Sequence, residues 1–298
     1  RWIENYYGRD NSDEYSKEIR SYWNEQYDGE NNVDDHWILL GDIPTETCKM
    51  AGVAYTNKYL HNSSPYVMSV IASDENDKTL ASIKRQHKTR DIPVLYIASL
   101  KTPNVPPFCM TGQEVIDRIS DNEDRKIFKK NLNNFKNINV LFPIGLKYAV
   151  GGICTHGLRV NRNGYREGAL TSFKVLTSFE NKNKKLERLH LSVYSNQRIA
   201  ERTAGAMKRR FLVAGLGSVG SNLCYYLNGY NNVVFDLIDR DSLTIDNIGR
   251  HLLGFEYINQ QKSYAVAHYL QQYRPDREVY ASQKQLQQQK KEEIDKAS

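Results

Sequence analysis

The stretch that decides the fold of the C-terminal third reads Phe211-Leu-Val-Ala-Gly-Leu-Gly-Ser-Val-Gly220. Its apolar start, residues 211–214, is typical of a parallel strand covered on both faces. The glycines that follow have the spacing GxGxxG, which allows a tight turn, a close approach of the backbone to phosphate and close helix packing. The sequence therefore predicts a strand, a helix and, between them, a phosphate-binding loop formed by Gly215, Gly217, Ser218 and Gly220.

A second strand and an acidic residue continue this pattern. Residues 221–227 extend the helix, Gly229 ends it, and residues 233–238 form the next apolar run. Asp239 follows that run, nineteen residues after Gly220, where an acidic side chain can accept a hydrogen bond from a ribose hydroxyl. A GxGxxG motif alone is weak, but here strand, helix, strand and acid fall in order. We interpret the segment as the start of a Rossmann-type nucleotide-binding domain.

Beyond the second strand lies a polar cluster made of Asp239, Asp241, Asn247, Arg250 and Lys262. An NAD-binding fold accounts for Asp239 but gives no reason for Asn247, Arg250 and Lys262, whereas a triphosphate carries several charges that an arginine and a lysine can neutralise. Each residue also has a purely structural alternative. Asp246 could cap a helix, Arg250 could pair with Asp241, and Lys262 could be a solvated helix residue.

The cluster resembles the adenylation domains of the ThiF, MoeB and ubiquitin-activating-enzyme family. In that family the glycine loop is followed by DxD, an Asn, an Arg and a Lys that begins a helix, and the match covers residues 210–282. The resemblance implies ATP and Mg²⁺, and activation of the C-terminal carboxylate of a small ubiquitin-like protein or peptide as an acyl-adenylate. It implies that Asp239 binds the ribose, Asn247 and Arg250 the phosphates, and Lys262 the phosphate or leaving-group charge.

The family pattern also continues past this sequence. In relatives, a strand like residues 278–281 and a helix like residues 286–294 precede a further strand that carries a magnesium-binding Asp. The expected fold class is therefore α/β: an α+β N-terminal domain, then the first half of a Rossmann-type parallel-sheet domain, apparently truncated. The metal ligands stay unknown. Cys224 lies in the helix after the glycine loop and is expected to be a buried core residue.

The residues before this domain divide into a polar arm at 1–35 and an α+β domain at 36–195, with the ThiF-like domain at 196–298. Short apolar runs predict a substantial sheet, and residues 112–135 and 196–208 have helical patterns. The apolar runs lie at residues 37–40, 66–72, 94–100, 140–144 and 173–176.

The role of the N-terminal domain has two alternatives. Fused ThiF-like proteins often carry a domain that resembles ubiquitin-conjugating enzymes, in which case Cys109, after a Pro-rich stretch, or Cys154, with His156 two residues on, is the candidate thiol. A free cysteine is more often a packing residue. The other alternative is a domain that recruits substrate or dimerises.

Composition narrows the function classes. The chain has 40% hydrophobic and 26% charged residues, a net charge of +6, and four cysteines without CxxC spacing, so reduced thiols and a cytoplasmic protein are expected. The basic residues are dispersed, which does not support a nucleic-acid partner, and no membrane segment is expected. Expected partners are the ubiquitin-like carrier and a second subunit in a homodimer or heterodimer. Further alternatives are an NAD-dependent oxidoreductase and a non-catalytic adaptor, and the resemblance also suggests a bacterial modification or defence system.

Overall fold

The computed structural model describes residues 23, 36–57, 66–102, 110–134, 137–144, 149–156, 158–162, 166–178, 182–183, 185–189, 191–195 and 208–284. The chain divides into two compact units, one of Arg1–Leu80 with Gln86–Ser195, the other of Ala81–Arg85 with Asn196–Ser298. Parallel-rich sheets combined with helices confirm the predicted α/β class. Apart from Trp23 and residue 208, the polar arm and the helices predicted at 196–208 and 286–294 lie outside the described residues.

The first unit contains a seven-stranded mixed sheet and a separate hairpin. Its strands are β1 (His36–Leu40), β2 (Cys48–Asn57), β3 (Tyr66–Ala72), β4 (Arg90–Tyr96), β5 (Asn137–Pro143), β6 (Val150–His156), β7 (Leu158–Arg162), β8 (Arg166–Leu170) and β9 (Leu191–Tyr194). The sheet order is β6-β5-β4-β2-β3-β1-β9, and β7 pairs with β8. The helices of this unit are α2 (Gly112–Arg118), α3 (Asn122–Asn134) and α4 (Ser172–Leu176), and a further helix, α1 (Lys78–Gln86), has its residues Ala81–Arg85 assigned to the second unit.

Strand β5 shows why this sheet is buried on both faces. Side chains alternate along a strand, so Ile138, Val140 and Phe142 pack into a core cluster with α2 and α3 residues, whereas Leu141 packs into a second cluster. Both sets are almost fully buried. The continuous apolar run predicted at residues 140–144 is therefore a central strand, parallel to β4 and antiparallel to β6.

One apolar run that contributed to the predicted sheet is a helix. Residues 173–176 lie within α4, where the Thr171 side chain caps the first turn by accepting the Lys174 amide. Phe173 and Leu176 are three residues apart, so they lie on one helix face and pack into the core. A run this short has no periodicity that could separate strand from helix. The helical pattern predicted at residues 112–135 corresponds to two helices, because α2 ends at Arg118 and α3 begins at Asn122.

The second unit is a three-stranded parallel sheet with two helices. Its elements are β10 (Arg209–Ala214), α5 (Ser218–Asn228), β11 (Val233–Ile238), α6 (Lys262–Tyr273) and β12 (Glu278–Ser282), with 3-10 turns at Ile245–Asn247 and Phe255–Tyr257. The sheet order is β10-β11-β12. The predicted strand, helix and second strand are present, and so is the predicted third strand.

The two faces of this sheet differ. Phe211, Phe235 and Val279 lie on the face that packs with the buried residues of α5 and α6, Cys224 and Leu270 among them. The opposite face carries an ion pair between Arg210 and Asp236, in which Arg210 Nε lies 2.6 Å from Asp236 Oδ2, and an exposed Tyr280. Strand β10 is only half-buried, so the expectation that it is covered on both faces is not met within the part that the structure describes.

Within the described ranges, none of the helices has the length and apolar character that crossing a membrane would require.

Candidate nucleotide site

Each glycine of the loop between β10 and α5 has its own physical reason. Gly215 has φ +88°, a left-handed conformation that favours glycine. A Cβ on Gly220 would overlap the carbonyl oxygen of Gly215, so only glycine allows the helix to approach the loop this closely. A Cβ on Gly217 would meet no atom within 4 Å, which leaves open space for a ligand beside the backbone.

The N-terminus of α5 borders that open space. Gly217 is the N-cap and has no side chain to accept the first amides, and the helix begins at the exposed Ser218. The Ser221 amide closes the first turn onto the Gly217 carbonyl at 3.0 Å. The amides of residues 218–220 therefore precede the first intrahelical hydrogen bond, at the positive end of the helix dipole. This arrangement suits an anion such as a phosphate.

Asp239 braces the loop from the end of β11. Its Oδ2 accepts the Leu216 amide at 2.6 Å and its Oδ1 accepts the Asp241 amide at 2.8 Å. A carboxylate oxygen can accept more than one hydrogen bond, so the predicted contact to a ribose remains open to this side chain. The sequence did not indicate this bracing role.

Lys262 is not the solvated residue that one alternative expected. It is the first residue of α6, and its side chain is only 10% exposed. Its amide donates to the Asp241 carbonyl at 2.9 Å, while its Nζ lies 3.8 Å from Asp241 Oδ2. Asp241 itself is largely exposed, so water screens this long ion pair. A buried ammonium with such a weak partner retains much of its capacity to attract an anion.

Asn247 has a structural role that leaves half of its side chain available. Its Oδ1 accepts from the amide of Thr244 at 3.1 Å and from the Thr244 hydroxyl at 3.2 Å, which makes Thr244 the cap of the 3-10 turn. The alternative that Asp246 is the cap is therefore wrong. The NH₂ group of Asn247 donates to none of the described residues, so it can donate to a phosphate.

Arg250 is exposed and does not pair with Asp241, so that alternative is wrong as well. It follows Gly249, whose φ of +89° turns the chain. Its backbone carbonyl accepts a hydrogen bond from Asn222 Nδ2 of α5 at 3.3 Å. No carboxylate of the described part lies within ion-pair distance of its guanidinium, which is thus free to bind an anion.

His251 is the residue that the sequence reasoning missed. Its Nε2 lies 2.6 Å from the Leu216 carbonyl oxygen in the glycine loop, and its Nδ1 accepts the Leu253 amide at 3.0 Å. Burial is the main cause that lowers the pKa of His251, and the nearby Lys262 charge lowers it further. In the sequence, only its position next to Arg250 could have indicated that His251 belongs to the site.

Burial disfavours the thiolate form of two of the four cysteines, Cys48 and Cys224. Cys224 is fully buried, and this burial raises its pKa to about 12, which confirms it as a core residue. Burial also raises the pKa of Cys48. Cys154 lies in β6 and packs partly buried against a core cluster. Cys109 and the side chain of His156 lie outside the described residues, so a thioester on Cys109 or Cys154 stays a prediction.

No three His, Cys, Asp or Glu side chains of the described ranges are grouped so that they could hold a metal ion. A magnesium ion bound with a nucleotide needs few protein ligands, because phosphate oxygens and water supply the others. The exposed Asp241, beside Lys262, is the carboxylate of the site that could contribute one of them.

Comparison with known proteins agrees with this geometry. Residues 194–297 match the model of the ThiF family. No curated protein matched the chain. Members of the ThiF family are generally adenylyltransferase-type enzymes that use ATP and Mg²⁺. The match covers the whole of β10 to β12 and confirms the resemblance that the sequence motifs indicated. The segment at residues 194–297, with its glycine loop, acidic strand end and polar cluster, is thus similar to the ThiF family.

Proposed function

We propose that this chain uses ATP and Mg²⁺ to adenylate the C-terminal carboxylate of a small ubiquitin-like protein or peptide. One observation carries the proposal: at the carboxyl ends of β10 and β11, Asp239 accepts hydrogen bonds from the glycine loop and from the Asp241 amide, and the buried Lys262 donates its amide to the Asp241 carbonyl. Ligands of open parallel sheets bind at this end of the strands.

The residues present fit a triphosphate. The open space beside Gly217 and the N-terminus of α5 provide room and positive potential for phosphate oxygens, and Asn247 offers an NH₂ donor. Bound ATP would supply the adenylyl group. Arg250 and Lys262 would neutralise the negative charge that develops on the departing pyrophosphate, which is the main demand of this chemistry.

The same charges argue against NAD. A dinucleotide needs the glycine loop and an acidic residue, and both are here, but it gives no reason to bury Lys262 or to leave Arg250 without an acidic partner among the described residues. Burying an ammonium costs free energy unless a bound anion offsets it. The adaptor alternative accepts nucleotide binding and differs only in predicting no exchange of labelled pyrophosphate into ATP when a carrier is supplied.

Arg250→Ala tests the phosphate role. Loss of a charge-assisted contact costs about 1.5–3 kcal/mol, so the affinity for ATP should fall roughly ten- to hundredfold. Because Arg250 is exposed, the melting temperature should stay unchanged. Isothermal calorimetry measures the first quantity and differential scanning fluorimetry the second.

The matched control is Arg240→Ala, which removes another exposed arginine, one whose Nε lies 3.7 Å from Asp241 Oδ1. It should leave ATP affinity within about twofold, since exposed pairs of this kind contribute little. Unchanged ATP binding in Arg250→Ala would remove Arg250 from the site. Tight NAD binding without detectable ATP binding would end the adenylation proposal.

A separate surface of this unit supports the expected second subunit. Helices α5 and α6 pack side by side through a Tyr225–Tyr273 ring contact, and six large apolar or aromatic residues of these helices and of the turn after α5 are exposed by 46–79%. We call these residues the α5–α6 face. These residues are Val219, Leu223, Tyr226, Tyr230, Tyr264 and Tyr273. Helix α5 has no charged residue, and the lysine of α6 is buried, whereas α1 and α3 carry several charges. Tyrosine enrichment and depletion of charge are typical of protein interfaces.

We propose that this α5–α6 face binds a second copy of the chain. A neutral surface meets no like-charge repulsion when it faces itself, and a two-fold axis is the commonest symmetry of homo-oligomers. Four half-exposed tyrosines alone would bury about 500 Å². A standard interface needs about 800 Å² per partner, which Val219, Leu223 and the polar residues between them can complete. Without cations, the face suits neither nucleic acid nor an anionic membrane.

Tyr226→Glu tests this interface. Tyr226 is 71% exposed, so the substitution should leave the fold intact but bury a charge in the dimer, and sedimentation velocity should show a dimer becoming a monomer. Tyr280→Glu, 53% exposed on the opposite face of the sheet, is the control and should stay dimeric. A wild-type chain that is monomeric at all concentrations, or a dimeric Tyr226→Glu variant, would show that the face does not bind a second copy.

A further inference from the structure

The segment from Arg250 to Leu253 is fastened to the glycine loop and to α5 at three points. The Asn222 side chain donates to the Arg250 carbonyl at 3.3 Å, and the buried Ser221 hydroxyl accepts the Leu252 amide at 3.2 Å. His251 Nε2 makes the third and shortest contact, to the Leu216 carbonyl. Arg250 therefore extends from a backbone that the phosphate loop itself holds in place.

His251 can make its contacts only as a neutral imidazole. Its Nδ1 faces the Leu253 amide, which is a donor, so this nitrogen must carry a lone pair. The proton of the neutral ring then lies on Nε2, where it is donated to the Leu216 carbonyl at 2.6 Å. A second proton on Nδ1 would point at the Leu253 amide hydrogen and break that hydrogen bond.

Leu216 is held from both sides. Its amide donates to Asp239 Oδ2 at 2.6 Å and its carbonyl accepts from His251 Nε2 at the same distance. Leu216 lies between Gly215 and Gly217, so these two contacts orient the peptides that would face a phosphate. Asp239 follows β11, and His251 belongs to the segment that carries Arg250. The Leu216 peptide therefore connects the end of β11 to the Arg250 segment.

We propose that His251 is a positioning residue that couples the glycine loop to Arg250 while its imidazole is neutral, and that acidification uncouples them and weakens phosphate binding. The phosphate readout rests on the proposed function, whereas the coupling itself does not. His251 would touch no substrate atom; it would act through the Leu216 peptide and the Arg250 backbone.

Burial determines the direction of the pH effect, because it is the largest cause and lowers the pKa of His251 below the ordinary 6.5. The hydrogen bond to the Leu216 carbonyl raises the pKa, the charge of Lys262 in α6 lowers it, and the charge of Asp239 at the end of β11 raises it. Arg250 is the chain neighbour of His251, and Asp241 lies beside Lys262. A histidine with a lowered pKa stabilises the folded state fully above its unfolded pKa and loses this contribution as the pH falls below about 6.5.

The decisive comparison is His251→Gln, which cannot titrate and keeps an NH₂ donor for the Leu216 carbonyl. In the wild type, the affinity for ATP should fall further than in His251→Gln when the pH drops from about 7.5 to about 5.5, and the excess should stay below about tenfold because burial holds the pKa of His251 below 6.5. Protonation of ATP itself is common to both proteins and cancels. His268→Gln replaces an exposed histidine of α6 and should keep the wild-type pH dependence.

A second measurement separates the coupling from the proposed function. The ring ¹⁵N spectrum of the wild type should show His251 as the neutral Nε2–H tautomer at neutral pH. Acidification should lower the protection factor of the Leu253 amide in the wild type, that is, its protection after correction for the intrinsic pH dependence of amide exchange. Absence of ATP binding with this spectrum and this exchange behaviour would defeat the proposed function and leave the coupling intact. A charged ring or an Nδ1–H tautomer at neutral pH, or equal pH dependence of ATP binding in wild type and His251→Gln, would overturn the inference.

Discussion

Gly220→Ala should disrupt the glycine loop and destabilise the second unit by about 3 kcal/mol, at the upper end of the cost of overpacking. The new Cβ would overlap the carbonyl oxygen of Gly215. Neither atom belongs to a flexible side chain, so α5 or the loop must move as a whole. All three tryptophans precede this unit, so hydrogen exchange at the α5 amides, rather than tryptophan fluorescence, should report the loss.

Gly217→Ala is the matched control for that change. Its Cβ would enter open space, and its φ of −74° is accessible to alanine, so the free energy of unfolding should stay within about 0.5 kcal/mol of the wild type. The methyl group would, however, occupy the space beside the backbone where we place a phosphate, so ATP binding should weaken. Equal stability losses in the two variants would contradict the distinct roles of the two glycines.

Arg277→Met should also destabilise this unit by about 3 kcal/mol, because several buried carbonyls would lose a charged donor at once. The guanidinium is almost fully buried and donates from Nε to Asn228 Oδ1 at 2.7 Å and from Nη1 to the Val233 carbonyl at 2.9 Å. Its Nη2 donates to the carbonyls of Asn228 and Tyr230, each at 2.7 Å. The cation thus satisfies the C-terminal end of α5, where the helix dipole favours positive charge.

Methionine is chosen for this test because it keeps most of the apolar stem and removes only the donors. Arg240→Met, in which the replaced side chain is 66% exposed, should change the free energy of unfolding by no more than about 0.5 kcal/mol. Both variants should be followed by hydrogen exchange at the α5 amides. Equal protection in Arg277→Met and the wild type would show that water replaces the guanidinium without cost.

The sequence alone was sufficient to predict β10, the glycine loop, α5, β11 and the placement of Asp239. These features depend on residues close together in the chain: a buried-strand pattern, glycines at fixed spacing and an acidic residue at a strand end. Strand β12 was expected from the resemblance to the ThiF family, in which a strand like residues 278–281 follows. The locally predicted features lie within residues 194–297, which match the ThiF family model, so the motifs and the family match agree.

The first unit was less predictable from the sequence. Its runs at residues 37–40, 66–72 and 140–144 do lie in strands, but the run at residues 173–176 is in a helix and β2 was not predicted. Short apolar runs fit either a buried strand or a buried helix turn, and tertiary packing decides between them. The seven-strand order likewise depends on which strands pair across the sheet, and no local pattern specifies that.

At the site, the sequence determined which residues are present, and only the tertiary structure decided what each one can do. Lys262 is buried at the start of α6, where its amide donates to the Asp241 carbonyl. The side-chain oxygen of Asn247 accepts from Thr244, which leaves only the NH₂ group for a ligand. His251 and Arg277 contact partners 35 and 49 residues away in the chain. Such hydrogen bonds form only when the sheet and helices bring distant segments together, and their geometry leaves no periodic signal in the sequence.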